Sequence, residues 1–400
     1  MPKHIKISKE ELDLIRKGAL AEVDRMMVKL KDTINSYFLR FYAEDIHTWS
    51  CYRGNPAHTG TVGPTLDTLK GESAFTYDVG AGVATPPSLT PEHLLTTAGG
   101  GRELHCVELE TGERSWSLDL EHKITCPAVI GWDGYVYLAA DDKHIYSIGI
   151  ESGLIRWNFS VDDRVLQTPC LHEKNLFLTT QEGYLVAVDT TKGTLKWISP
   201  WESAFSEPTI GRGFLYLSTY DGCLMSVYTG SGDIRWKTPS YGNAGSSAAF
   251  YDDKLYLSIP ETAGELEDTM GSNRPYILVF DAHSGDLVWK NETIASLIST
   301  PVINNGRLFT VAQNYLDALS AVDGQMLWRA STENPIRTCP VLTDDALYVV
   351  TKKNILYAFD QLSGKERWRY ELESPCVGSP AYASGRLVIT CENGKLYAFK

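Results

Sequence analysis

Short apolar runs separated by polar turns fill this chain from about residue 73 to its end, and residues 167–199 show the unit most clearly. Thr168-Pro-Cys-Leu-His172, Asn175-Leu-Phe-Leu-Thr-Thr180, Tyr184-Leu-Val-Ala-Val188 and Thr194-Leu-Lys-Trp197 read as four successive strands, A to D, on their alternation and their β-branched and aromatic content. The tryptophan that closes strand D recurs as Trp116, Trp157, Trp197, Trp236, Trp289, Trp328 and Trp368, at intervals of 41, 40, 39, 53, 39 and 40 residues. A glycine stands four positions before each one: Gly112, Gly153, Gly193, Gly232, Gly285, Gly324 and Gly364. A period of this length, built only of strands and turns, predicts an all-β propeller with four strands per blade.

The same ruler counts the blades. Phe75 lies 41 residues before Trp116, with Gly71 four before it, so an eighth copy of the turn lies near the start. At the other end Leu396-Tyr-Ala-Phe-Lys400 repeats Leu356-Tyr-Ala-Phe-Asp360 and stops just before the turn that residues 67–71 supply. Eight blades are therefore predicted, one of them made from both ends. Residues 73–78 would pair with strands in 381–400, which closes the ring and leaves no open edge at the junction. A proline recurs near the start of strand A (Pro86, Pro127, Pro169, Pro208, Pro301, Pro340 and Pro380, with Ala248 in the remaining copy), where an inner edge forfeits no ladder hydrogen bond. The glycine suits a turn with positive φ. The tryptophan is expected to pack between neighbouring blades with its indole N–H on a backbone acceptor.

Residues 1–48 stand outside the repeat. Ser8 and Glu11 have the spacing of a capping box, and Leu12, Ile15, Ala19, Val23, Met26, Leu30, Ile34, Tyr37 and Phe41 form one apolar stripe. The chain thus divides into an amphipathic helical extension, 1–48, and a propeller, 49–400. The stripe needs a cover: the protein's own propeller, a second copy, or a different protein. Nine Lys and Arg against eight Asp and Glu leave this segment nearly neutral, which disfavours an electrostatic membrane anchor.

Composition narrows the partners. A formal net charge of −13 argues against general binding of nucleic acid or anionic membranes. No run of 18 apolar residues predicts a membrane span. The first twenty residues interleave charge with apolar positions and hold no signal-peptide core, so a cytoplasmic location is expected; a periplasmic one would follow if a signal peptide had been removed.

The strand, turn and tryptophan copies resemble the eight-bladed propellers with PQQ-like repeats, a family that includes quinoprotein alcohol dehydrogenases and outer-membrane assembly scaffold lipoproteins. The resemblance covers residues 49–400, and Trp49-Ser-Cys-Tyr-Arg-Gly-Asn-Pro-Ala-His-Thr-Gly60 looks like the lead-in before the first blade of many bacterial members. It implies the fold and leaves enzyme, scaffold and sensor open. Dehydrogenases of this family generally add long insertions that build a cofactor pocket, with calcium ligands, a catalytic carboxylate and often a vicinal disulfide. Here the blades are near minimal length, and the chain has neither a Cys-Cys pair nor a c-type haem motif, so no PQQ is expected. The one sizeable insertion, residues 259–276, should join strands B and C of the fifth blade. It carries Glu261, Glu265, Glu267 and Asp268 but lacks the residue order of a calcium loop, and reads as a solvated acidic loop that could also gate the channel or meet a partner.

Candidate chemistry collects where the D–A and B–C loops of a propeller share one face. That face should hold His122, Lys123, Asp162, Asp163, Arg164, Trp201, Glu202, Tyr241, Asn243 and Arg337. Just inside it, the residues before the recurring proline are Thr85, Cys126, Thr168, Glu207, Ser247, Thr300, Cys339 and Ser379. Glu207 is the one that is not small. Such a carboxylate is a candidate general base or ligand anchor, with Arg337 or Arg164 as a partner; the alternative is a structural ion pair or a contact with channel water.

The eight cysteines form no CxxC motif and read as buried apolar side chains, against a metal or redox role. No histidine pair has helical metal spacing, and His58 is expected to fix the lead-in on the propeller. No serine or cysteine sits in a recognisable nucleophile elbow. Two function classes follow. One is a non-catalytic propeller that binds a protein, peptide or small ligand on the loop face; the other is a quinone-independent hydrolase, isomerase or cyclase at the channel mouth.

Overall fold

The computed structural model describes residues 55, 57, 58, 69–80, 82–201, 203, 205–240, 247–260, 275–293 and 300–400. The predicted helix of residues 1–48 and most of the acidic insertion lie outside them. The described chain forms eight four-stranded antiparallel sheets in a propeller ring. Blades 1 to 7 span residues 88–119, 129–160, 170–200, 209–239, 249–292, 302–331 and 341–371. Blade 8 takes Ala381–Ala383, Arg386–Thr390 and Lys395–Phe399 from the C-terminal end and Ser73–Asp78 from the other. The closing register runs from Ser73 opposite Phe399 to Asp78 opposite Lys395. It is extended by Lys400 N–H to Glu72 O (2.9 Å) and Lys70 N–H to Lys400 O (3.0 Å).

Strands B and C are buried along nearly their whole length, as in Asn175–Thr179 and Tyr184–Asp189, because a neighbouring blade covers each of their faces. Their sequences are therefore continuous apolar runs rather than alternating ones. Strand D alternates, as in Ile155–Ser160, because its outer half meets solvent. The apolar clusters accordingly lie between blades: Leu95, Leu104 and Cys106 of blade 1 pack with Val136, Leu138 and Ile148 of blade 2. Seven of the recurring positions before strand A are prolines that sit at or within two residues of the inner strand, as Pro169 does before Cys170–His172, so they terminate pairing rather than interrupt it.

Tryptophan and glycine of the ruler meet across blades. Each indole N–H donates to a carbonyl of the next C–D turn: Trp116 to Ile150 (2.6 Å), Trp157 to Thr190 (2.9 Å), Trp197 to Thr229 (3.0 Å), Trp236 to Ala282 (3.2 Å), Trp289 to Ala321 (3.4 Å), Trp328 to Gln361 (3.2 Å) and Trp368 to Leu69 (2.9 Å). The ring lies flat under the glycine of that turn. At Gly232, with φ +79°, a Cβ would stand 2.7 Å from the Trp197 ring, so both conformation and space exclude a side chain. Gly71 caps Trp368 and Gly112 caps Phe75 in the same way, which places Phe75 in the eighth tryptophan position. A bulge just before each of these aromatics, between Trp197 and Leu195 for example, turns the ring toward the next blade.

Candidate recognition face

The D–A and B–C loops pair with one another and so share a face. Single antiparallel bridges join them at Ile124 and Ala140, Phe205 and Thr219, Ile336 and Thr351, and Cys376 and Cys391. Around these bridges, backbone and carboxylate hydrogen bonds fix the candidate side chains at their bases.

In blade 2, Lys123 N–H donates to Asp141 Oδ1 (3.0 Å) and Asp141 N–H to Lys123 O (2.8 Å), while His122 Nδ1 stands 3.8 Å from the same carboxylate. Lys143 reaches from this loop to Asp162 O (2.9 Å) on the loop entering blade 3. There the buried Asp163 accepts from the amides of Arg164 and Glu182, both at 2.7 Å. Burial alone would push the Asp163 carboxyl up. Hydrogen bonds from the Thr180 hydroxyl and those two amides, with the Lys143 charge, outweigh it and hold the group below the usual carboxylate range. Arg164 is held in turn by Gln181 N–H on its carbonyl (2.8 Å).

Trp201 donates its backbone N–H to Gly183 O (2.8 Å), packs edge-on against Phe205 with ring centroids 5.9 Å apart, and lies 5.7 Å from Lys237 Nζ. Its indole N–H is buried without a hydrogen-bond partner, unlike those of the seven ruler tryptophans. Arg337 joins blades 7 and 8, its Nη2 donating to Glu392 Oε1 at 2.8 Å. Glu202, Tyr241 and Asn243 lie outside the described residues.

Glu207 sits below this face, 9% exposed. Its Oε1 accepts from the Thr168 hydroxyl (3.0 Å) and its Oε2 from the Ser247 hydroxyl (3.1 Å), the residues at the same repeat position in the blades on either side. The carboxylate thus bridges three consecutive blades through hydroxyls; Arg337 makes its ion pair with Glu392 instead. Burial pushes the Cys126 thiol up to about 12, and the Glu207 charge adds to that direction, so this neighbour is a protonated, inert side chain.

Nearby, the lead-in segment touches the inner strands. Phe250 N–H donates to Ala57 O (2.9 Å), and the buried His58 places Nδ1 3.1 Å from the Thr209 hydroxyl, which itself donates to Ala248 O. His58 thereby rests on Thr209, which follows Glu207 by two residues in blade 4.

Sequence reasoning collected the D–A residues but passed over their B–C partners Asp141, Lys143, Glu182 and Glu392, and the Cys376–Cys391 bridge. Superposing the repeats by position would have found them, because the bridged residues fall 14 to 16 positions apart in each of the four blades.

Of the eight inner-rim positions, Glu207 alone carries a carboxylate. Among the described residues no group of three or more His, Cys, Asp or Glu converges as a metal site. Nor is any helix among them long and apolar enough to cross a membrane.

Comparison with known proteins agrees with this architecture. A family model described as the outer membrane protein assembly factor BamB matches residues 58–266 and 273–400. No curated protein matches by sequence. Among solved structures, BamB from Moraxella catarrhalis aligns at a TM-score of 0.67 and 13% identity, over 84% of this chain and 98% of that one. The quinohemoprotein alcohol dehydrogenase from Comamonas testosteroni aligns at 0.71 and 14% identity, over 90% of this chain and 82% of its own. The computationally designed Ika8 protein aligns at 0.68 and 13%, over 84% and 99%. An enzyme, an assembly factor and a designed chain fit almost equally well, so these likenesses speak for the fold alone.

Proposed function

The chain belongs to the family of the outer membrane protein assembly factor BamB, and from that premise we propose that it is a non-catalytic scaffold that binds a protein partner on the face formed by its D–A and B–C loops. The family match over most of the propeller carries the reading. Two features of the face support it. Its loops are cross-pinned at their bases, which keeps Lys123, Arg164 and Trp201 on a rigid platform and lowers the entropy lost on binding. Glu207, the candidate acid or base, has both oxygens engaged by hydroxyls of neighbouring blades, a structural use of the carboxylate.

We further propose a cytoplasmic site of action, and fractionation of the native host tests this directly. For the scaffold role, affinity capture from that host should compare the wild type with Lys123→Glu/Arg164→Glu on the loop face and Lys192→Glu/Lys365→Glu on the C–D turns. One protein should be lost with the first variant and kept with the second. Equal recovery by both would reject the face. The enzyme alternative predicts instead that Glu207→Gln abolishes turnover of a small substrate while partner recovery is unchanged.

A further inference from the structure

Cys376 and Cys391 stand directly opposite each other where the loop entering blade 8 bridges the end of its strand B. The flanking hydrogen bonds are Val377 N–H to Thr390 O and Glu392 N–H to Pro375 O, both 2.8 Å. They run between the residues on either side and not between the two cysteines, which defines a non-hydrogen-bonded antiparallel pair. In such a pair the Cα atoms approach to about 4.5 Å and both side chains leave the same face of the sheet. Disulfides span Cα separations from about 4.4 to 6.8 Å, so such a pair falls within bridging range. It is the one cysteine-to-cysteine register among the described strands and bridges, and both thiols are free and buried.

We propose that Cys376 and Cys391 are a modification site: a dithiol that exchanges with a low-molecular-weight disulfide to form a cross-strand disulfide stapling the closing blade. In the first step a local opening of the closing blade exposes the buried pair, and one thiolate attacks a sulfur of the small disulfide, forming a mixed disulfide and expelling one small thiolate. The second cysteine then displaces the other small thiolate and forms the Cys376–Cys391 bond. The two cysteine protons end on the two released thiols, and the small disulfide is the species reduced. Cys376 is the first attacker. Burial pushes both thiols up, Cys376 to about 11 and Cys391 to about 12; the Arg337 guanidinium offsets part of the effect at Cys376 against a smaller push from Glu392, whereas Cys376, Glu373 and Glu392 all raise Cys391 further.

The linkage closes a loop of only 15 residues, inside the blade whose fourth strand is held by hydrogen bonds from the opposite end of the chain. It would restrict the unfolded state of the one blade that no other covalent continuity completes. In a reducing compartment the pair stands as thiols, and in an oxidising one as the disulfide.

The test uses the full-length chain, reduced and then exposed to oxidised glutathione, with unmodified thiols alkylated and the protein digested by trypsin without reductant. Peptides 370–386 and 387–395 each carry one of the two cysteines. They should appear as a single linked species, removed by dithiothreitol. Its rate of formation should rise about tenfold per pH unit from 7 to 9, as thiolate is produced. The oxidised wild type should unfold a few degrees above the reduced form, a shift absent from Cys376→Ala and Cys391→Ala. Alkylation of both cysteines after exposure in mild denaturant, or linkage of either one to a different cysteine, would overturn the site. A native link with an unchanged unfolding midpoint would overturn the stapling. The wild-type readouts do not depend on either variant folding.

Discussion

The two faces of this propeller are held by different means. On the C–D side seven of the eight junctions repeat one device, an indole under a turn glycine with its N–H on a backbone carbonyl, from Trp116 and Gly153 round to Trp368 and Gly71. On the D–A and B–C side the described contacts differ from blade to blade: Lys123 with Asp141, Asp163 with two amides, Trp201 with Phe205, Arg337 with Glu392. Uniform stitching carries the shape of the ring, and a face relieved of that duty is available to differ from blade to blade.

Mutation of the stitched side should therefore cost most. Trp197→Ala removes a half-buried ring and its bond to Thr229, and should destabilise the fold by about 3 kcal/mol. Lys123→Ala and Arg164→Ala on the other face should each stay within about 0.5 kcal/mol. Urea unfolding of the three variants breaks the comparison if the order is reversed. Gly232→Ala forces a side chain to φ +79° and into the Trp197 ring. It should cost about 2 kcal/mol in the same assay, from left-handed strain plus overpacking.

Phe75→Trp tests the rule in the opposite direction. Phe75 lies under Gly112 as the tryptophans lie under their glycines, but it has no N–H for Leu109 O, the carbonyl three residues before that glycine. Restoring the donor should raise stability by about 1 kcal/mol, and a lower thermal midpoint would show that this junction differs from the other seven.

The smallest effect separates two carboxylates. Hydrogen bonds from Arg367 and Ser363 hold the Asp360 carboxyl in a C–D turn at about 2, and Asp163 on the loop face is also depressed. A depressed carboxylate stabilises the fold fully above its unfolded value of about 3.9, and that contribution is lost as pH falls through the folded value. Acid unfolding of Asp360→Asn should lose the part of its pH dependence between about 4 and 2, worth less than about 1 kcal/mol after solvent screening. Asp163→Asn should lose the part just below about 4, and should additionally speed amide exchange at Glu182 while leaving the C–D turns unchanged.

Most of the fold was legible in one dimension because a solenoid-like ring repeats its sequence as it repeats its contacts. Trp197 marks its strand whatever its partner is, and Phe75 could be found by counting. The candidate face was legible only in part. The sequence supplied Lys123, Arg164 and Trp201 as loop residues, but not their partners, since the loops that meet are blade-specific in residue type. At Glu207 the sequence left open an arginine partner or channel water. The folded carboxylate takes hydroxyls from Thr168 and Ser247, 39 and 40 residues away, because the residue one period before or after stands beside it on the inner rim.

The number of blades, their order and the shared closing blade were thus determined by sequence alone, as consequences of a period and of where the two ends interrupt it. Which side chains face one another was decided by the closed ring. Closure brings period-related positions of neighbouring blades into contact, and pairing within each blade sets its entry loop against its own B–C loop, so that two cysteines unremarkable in the chain stand as a pair across a bridge.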